Sequence, residues 1–342
     1  MRTPSVVPEL LCEYGARARE ALLAFLPQRE PRKYLYDLLA DYPSRASRHM
    51  RPAICIATAR AFGAPLEAAL NSAVSIELLH NALLIVDDIQ DESEERRGAP
   101  TMHRATGLPI ALNVGSTMSV LSLVPLLGNV STCGPQVALW IFERTIEVAQ
   151  QCAEGQALEL GWRFDNRLDL TDEDYLDMVM RKTCSYSTML PIRAGAMIAT
   201  RRREVPDALV RFGFLLGAAF QIQDDLLNLT GSHERYGKEL NGDLLEGKRT
   251  LLIIRLLQRC SAQETAFVSR FLATERSAKK PEDVHSLLSL LTRYDCIEAT
   301  RCFAQALLGA AAHDFDQSLA QLPPSRDREF LRGLIPWVIE QP

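Results

Sequence analysis

The segment Leu79–Asp91 constrains the chain most. It runs apolar through Leu83, Leu84, Ile85 and Val86 and ends abruptly in Asp87, Asp88 and Asp91. No turn residue interrupts it, so the spacing predicts one helix. At 3.6 residues per turn, Asp87 and Asp91 share a face one turn apart, and Asp88 lies about 100° round, close enough to join them. Two carboxylates ~4 Å apart repel by roughly 4 kcal/mol at an effective dielectric of about 20. A surface salt bridge returns only ~0–1 kcal/mol. A divalent cation turns that cost into a gain, and oxygen-only ligands favour Mg²⁺. For this one motif alone the plainer reading is a solvated helix end, with Asp91, Glu92, Glu94 and Glu95 facing water.

A second stretch shifts the balance. Phe220 to Asn228 follows the apolar, glycine-containing run Phe212–Ala219 and carries Asp224 and Asp225, with the amide of Asn228 one turn on. Two such helices facing each other across a cavity would form a metal cluster over an apolar floor. A phosphorylated substrate would bridge the metals, and its carbon tail would lie below.

At 342 residues the chain is long enough to bury a sizeable core. Its 47% apolar and 24% charged residues are an ordinary soluble balance. The net charge of −5 offers no global attraction to nucleic acid, so none is expected as a partner. None of the eight cysteines forms a CxxC pair, and most sit in apolar periodic stretches, as small core residues in a reducing compartment do. Arg2 is followed by no apolar core before Pro8 and Glu9, so no signal peptide is expected. The apolar region Val114–Val130 is broken by Ser, Pro and Gly, so no transmembrane segment is expected either. A cytoplasmic location follows.

Residues 1–8 read as loose. Helix-period patterns then follow nearly without relief, at about Glu9–Leu26, Pro31–Ala40, Met50–Ala61, Pro65–Glu95, Pro109–Leu127, Pro135–Glu159 and Thr171–Met189. They continue at Leu190–Thr200, Ala208–Leu229, Thr250–Cys260, Ala262–Leu272, Pro281–Arg293, Cys296–Leu319 and Arg326–Ile339. Pro65, Pro109, Pro135, Pro206 and Pro281 suit first-turn positions. Thr171 with Asp174 three residues on is close to a capping box. No strand alternation, hairpin signal, repeat or linker stands out. The expectation is one all-α domain spanning 1–342, a helical bundle around a central cavity.

Three stretches read as non-helical. Asp41–Arg51 holds Arg45, Arg48, His49 and Arg51. Glu92–Gly107 holds Arg96 and Arg97 just after the first acidic cluster. Gly231–Arg249 holds Lys238, Asp243 and Lys248 just after the second. Carboxylates for metal beside Arg and Lys for phosphate is the layout a diphosphate–Mg²⁺ complex needs.

These residues together resemble the trans-isoprenyl diphosphate synthases, the polyprenyl synthetase family, and most of all its geranylgeranyl diphosphate synthases. The likeness runs from about Arg48 to Thr250. Leu79–Gly98 looks like the family's first aspartate-rich motif and Gly217–Leu229 like the second. Gly155-Gln156 and Arg181-Lys182-Thr183 match intervening motifs, and Gly237-Lys238 through Gly247-Lys248 matches the lysine-bearing loop.

The resemblance implies an isoprenoid-synthase type fold, a homodimer and about three Mg²⁺ per active site. Isopentenyl diphosphate and an allylic diphosphate would be joined head to tail. Asp87 and Asp91 would bind two of the ions, supported by Asp88. Asp224 would bind the third, helped by Asp225. Arg96, Lys182, Lys238 and Lys248 would hold the allylic diphosphate. Arg48, Arg51, His80 and Arg97 would hold the diphosphate of isopentenyl diphosphate. Thr183 and Gln221 would lie beside the developing allylic cation.

Three positions depart from the family pattern. Its first basic motif usually reads Gly-Lys-Arg-x-Arg-Pro, where Arg48 and His49 stand here for Lys and Arg. Asn228 closes the second motif in place of Asp and belongs with its substrate-binding set, as in eukaryotic-type geranylgeranyl diphosphate synthases. Glu159 stands where Asp is common. For product length, Leu83, Ala82 and Leu79 lie four, five and eight positions before Asp87, ~6–12 Å down the helix. No aromatic residue blocks that face and Ala82 leaves room, which favours a C20 product, with C15 and C25 or longer as the alternatives. A small residue at a helix–helix contact reads equally well at Ala82, and Ser116, Ser119 or Val120 are alternative floors.

Three rivals share parts of the pattern; one, a non-catalytic subunit of a partner synthase, is disfavoured because Asp87, Asp88, Asp91, Asp224, Asp225, Lys182, Lys238 and Lys248 are all retained. A class I terpene cyclase needs the metal cluster but gives Arg48, Arg51 and His80 no task. A di-iron helical bundle would use Glu77–His80 and Glu282–His285 at i, i+3, but no matching pair of helix glutamates is evident.

Overall fold

Helical periodicity becomes helix almost throughout the computed structural model, which describes residues 6–231 and 239–340. The N-terminal half contains α1 (Val6–Phe25), α2 (Met50–Ala61), α3 (Leu66–Gln90), α4 (Leu108–Leu121) and α5 (Pro135–Phe164). There follow α6 (Asp172–Val179), α7 (Leu190–Thr200), α8 (Asp207–Thr230), α9 (Gly242–Glu246) and α10 (Leu251–Leu257). The C-terminal part adds α11 (Ala262–Ala273), α12 (Pro281–Arg293), α13 (Cys296–Ser318) and α14 (Arg326–Glu340). The fold is all-α, as the patterns predict.

The starts of these helices follow local chemistry. Thr171 caps α6: its side chain accepts from Asp174 N–H at 3.2 Å, and the Asp174 carboxylate accepts from Thr171 N–H at 2.8 Å. Pro109, Pro135 and Pro281 sit in first turns, while Pro65 and Pro206 sit one residue earlier, at the cap.

Several boundaries differ from the sequence reading. α1 begins at Val6, whose neighbour Val7 is fully buried, so residues 6–8 are anchored; residues 1–5 lie outside the described residues. Asp41–Ser44 is a helical turn, and α2 starts within the supposed loop, at Met50. α3 stops at Gln90 instead of Glu95. A two-residue antiparallel hairpin follows, β1 (Glu95–Arg96) and β2 (Ala99–Pro100). Its turn is Arg97-Gly98, with φ of +55° and +74°. Arginine there carries none of the Asn-Gly signal that marks such turns. The expected helix Pro109–Leu127 breaks near Ser122 into a 3₁₀ turn, Pro125–Gly128, and a short helix, Asn129–Cys133. Between α6 and α7 the chain stays helical but widens into π turns over Met180–Met189. Such widening is frequent at functional sites.

α3 is the axis of the molecule. It packs on α1, α2, α4 and α7, which explains why it is apolar nearly all round. α8 packs on α13 and on the π turns, and α5 lies along the same turns. Phe212 of α8 meets Phe315 of α13 edge-on at 5.5 Å, both fully buried. Gly155 lets α5 approach closely: a Cβ there would collide with the backbone nitrogen of Lys182. α3 is long and apolar enough to cross a membrane, but 72% of its most apolar window is buried in the core. All eight cysteines are free.

Candidate active site

A cavity of about 920 Å³ opens between α3, α5, the π turns and α8. One end is lined by Asp87, Asp91, Glu159, Asp224, Asp225 and Asp243, interleaved with Lys182 and Lys248. The other is lined by Leu83, Leu84, Ala149, Cys152, Ala153 and Phe220. α3 supplies His80, Leu83, Leu84, Val86, Asp87 and Gln90 to its wall, about half of the helix circumference, and Asp91 follows at its C-cap.

Asp87 and Asp91 lie together as their spacing predicts. Lys182 Nζ is 3.1 Å from Asp87 Oδ1 and also pairs with Glu159. Lys248 Nζ is 2.7 Å from Asp91 Oδ2 and 2.7 Å from Glu246 Oε2. Arg163 Nη1 takes the other Asp91 oxygen at 2.8 Å. Burial pushes Asp87 up, but Lys182, Lys248 and Arg96 outweigh it and hold its carboxyl well below the usual range. Burial likewise opposes the charge on Lys182, and Asp87 and Glu159 more than restore it.

Asp88 corrects the expectation that all three aspartates gather. It is 1% exposed and is absent from the cavity wall. Arg96 grips it through two nitrogens and Tyr42 donates to Oδ2 at 2.6 Å. The 100° step from Asp87 turns it toward the hairpin, not the cavity. Arg96, 3.9 Å from Asp87, thereby reaches the wall.

The second motif is a hydrogen-bonded chain. Tyr175 donates to Asp225 Oδ2 at 2.7 Å, and Gln221 Nε2 donates to Oδ1 at 2.8 Å. Thr183 donates to Gln221 Oε1 at 3.1 Å. Burial and the nearby Asp243 push the Asp225 carboxyl up to about 8. Asp224 and Asn228 line the cavity too. Asn228 Oδ1 accepts from the Asp243 N–H at 3.2 Å and its carbonyl from Asn241 N–H at 2.9 Å, so it anchors α9.

The basic residues form a second group at the rim. Arg51 lies over the Tyr186 ring, 5.1 Å from its centroid, and donates to Ser187 Oγ at 3.1 Å. His80 stacks near Tyr186, with Arg97 Nη2 3.5 Å from its Nε2. Burial, then Arg51 and Arg97, hold His80 well below its ordinary value, so it is neutral at pH 7. Arg48 lies over the indole of Trp337 at 5.3 Å. His49 turns inward at φ +45°, its Nδ1 3.0 Å from Glu77 Oε1. Glu77 and His80 therefore have different partners and form no ligand pair. Lys238 lies outside the described residues.

Of the three chain-length candidates only Leu83 lines the cavity. Ala82 is fully buried in a cluster with Leu22, Tyr42, Val114 and Met118, so it is a helix contact. Leu79, one turn below Leu83, is buried outside the wall, and Ser116, Ser119 and Val120 are outside it as well. Ala149, Cys152 and Ala153 of α5 line the same cavity as Leu83 and Leu84. Their i, i+3, i+4 spacing of small residues was a legible signal. Glu246, Tyr186 and Trp337 carried none.

The acidic end fits a divalent cation. Asp87, Asp91 and Glu159 each bring one oxygen within 4.8 Å of the others, and buried Asp87 Oδ1 has an ion pair but no hydrogen bond. All the donors are oxygens, as Mg²⁺ prefers.

The Polyprenyl synthetase family profile matches residues 32–291. A geranylgeranyl diphosphate synthase of Sulfolobus acidocaldarius is 33% identical over 264 residues, 76% of this chain and 77% of that one. A geranylfarnesyl diphosphate synthase of Natronomonas pharaonis is 32% identical, covering 74% of this chain and 77% of that one. The crystal structure of geranylgeranyl pyrophosphate synthetase from Pyrococcus horikoshii Ot3 superposes with a TM-score of 0.85 at 27% identity, covering 98% of this chain and 99% of that one. The chain has the all-α isoprenoid synthase fold and belongs to the polyprenyl synthetase family, the trans-isoprenyl diphosphate synthases.

Proposed function

We propose that the chain condenses isopentenyl diphosphate head to tail with allylic diphosphates and releases geranylgeranyl diphosphate, C20. The observation that carries this reading is that one cavity combines carboxylates and cations with apolar side chains. Its size is at the upper end of the roughly 300–1,000 Å³ usual for ligand sites. The Sulfolobus relative is named for the same product, geranylgeranyl diphosphate, and the Natronomonas relative for one isoprene unit more, geranylfarnesyl diphosphate.

Asp87, Asp91 and Asp224 hold about three Mg²⁺, with Asp225 in support, and Asp88 acts through Arg96. The ions supply charge that stabilises the departing diphosphate. Lys182, Lys248 and Arg96 add fixed cations for the allylic diphosphate, worth more as negative charge grows on it. Lys238 joins them by resemblance. Arg48, Arg51, Arg97 and neutral His80 hold the diphosphate of isopentenyl diphosphate at the rim, with Asn228 shaping the loop beside Asp224. Thr183 and Gln221, hydrogen-bonded to each other on the cavity wall, lie beside the developing allylic cation. Leu83, Leu84 and Phe220 keep water from the carbocation. The double bond of isopentenyl diphosphate attacks, and a proton passes to the released diphosphate.

The protein works as a cytoplasmic homodimer in this reading. Leu108, Leu112 and Val120 of α4 and Leu139 and Ile146 of α5 are exposed, an apolar face that a second copy would cover.

The test is a product assay with isopentenyl diphosphate, Mg²⁺ and each of the C5, C10 and C15 allylic diphosphates, sizing the dephosphorylated alcohols. A C20 alcohol from all three is expected. A C15 or C25 alcohol would correct the length alone. Diphosphate release without elongation would overturn the reaction in favour of a cyclase.

A further inference from the structure

The last helix reaches the active-site cavity through one side chain. α14 is held against α1 and α2 by Phe330, Leu331, Leu334 and Val338, all buried. Pro336 interrupts its final turns: a proline ring has no N–H, so the helical bond to the Arg332 carbonyl is missing there. The next residue, Trp337, is part of the cavity wall, and its indole face lies 5.3 Å from the Arg48 guanidinium carbon.

Arg48 is fixed from its other side by the backbone. Its neighbour His49 is in the left-handed region, with the imidazole buried against Glu77. The peptide is thus pinned at residue 49 and the guanidinium head is pinned on an indole. A guanidinium stacked by its face keeps its five N–H donors in the plane, the geometry in which a planar fork meets phosphate oxygens. A lysine ammonium on a flexible stem would present no such fork. The pairing gives a reason for an arginine at 48, and the Glu77 contact gives one for the inward-facing histidine at 49.

We infer that Trp337 is a positioning residue that orients Arg48 toward the diphosphate of isopentenyl diphosphate, making the last helix part of that subsite. The inference rests on the substrate assignment of Arg48 made above.

The test compares Trp337→Phe, which keeps an aromatic face, with Trp337→Met, which keeps bulk without one. Steady-state kinetics are measured with each substrate varied separately. Trp337→Met should raise the KM for isopentenyl diphosphate about two- to fivefold, the range of an exposed cation–π contact. The KM for the allylic diphosphate should stay, and Trp337→Phe should restore most of the loss. In an Arg48→Met background, Trp337→Met should add nothing. Equal increases in both KM values, equal behaviour of the Phe and Met variants, or multiplying effects in the Arg48→Met background would each overturn the inference. If Arg48→Met itself leaves the KM for isopentenyl diphosphate unchanged, the substrate assignment of Arg48 fails as well. If it raises that KM while Trp337→Met does not, the positioning role alone fails.

Discussion

Arg96 Nε stands 2.9 Å from one oxygen of Asp88 and 3.2 Å from the other, and neither carboxylate oxygen faces the cavity. Adjacent aspartates of one motif therefore do different work. Asp87 presents its charge to the site, while Asp88 spends its charge holding the hairpin cation that stands beside Asp87.

Substitution at the two positions should separate stability from turnover. Asp88→Ala leaves Arg96 buried without its partner and takes an acceptor from Tyr42, a loss of about 3–5 kcal/mol. Asp87→Ala should spare the fold, since Lys182 keeps Glu159, and should cut turnover by several orders of magnitude. Urea midpoints and kcat for both variants check this. A turnover like wild type in Asp87→Ala would refute the metal assignment.

Product length should respond to the wall and not to Ala82. Leu84→Phe and Ala153→Phe fill the apolar end from opposite helices and should shorten the alcohol product. Ala82→Phe overpacks the contact of α3 with α1 and α4, at about 1–3 kcal/mol, and should leave product length unchanged. Sizing the alcohols alongside melting curves separates the two. A shortened product from Ala82→Phe would return the floor to that position.

Glu77 should tie stability to pH. Burial pushes its carboxyl up, but the hydrogen bond and charge of His49, with Arg51 and Arg97, outweigh this and hold it below its ordinary 4.5. A folded value below the unfolded one means stability is fully present above about 4.5 and is lost as pH falls through the lowered folded value. Glu77→Gln should therefore cost about 1–3 kcal/mol at pH 7, and the cost should shrink as the pH falls below 4.5. Urea midpoints across that window test it; a pH-independent difference would contradict the pairing.

The exposed face of α4 and α5 should be the dimer contact. Val120 is 68% exposed and Leu112 49%. Val120→Asp with Leu112→Asp should give a monomer by light scattering, with the same far-UV circular dichroism. An unchanged mass would place the partner elsewhere.

Much of the site was legible before any coordinates. Asp87 and Asp91 share a face because i and i+4 always do in a helix, and Asp224 beside Asp225 follows an apolar run for the same reason. Helix identity, the capping box at Thr171 and the free cysteines needed only local pattern. The hairpin is not legible in the sequence, because Arg97 takes a positive φ that its residue type does not announce.

What local pattern could not decide was rotation and company. Whether Asp88 or Asp87 meets the cavity depends on Tyr42, 46 positions earlier, and on where Arg96 lands after the turn. Whether Ala82 lines a pocket or a helix contact depends on α1 and α4. Trp337 reaches Arg48 across 289 positions, and no spacing rule spans that distance. Period and propensity act over a few residues, so they determine each helix and its stripes. Which stripe faces which neighbour is a matter of close packing among all of them, and only the assembled chain settles it.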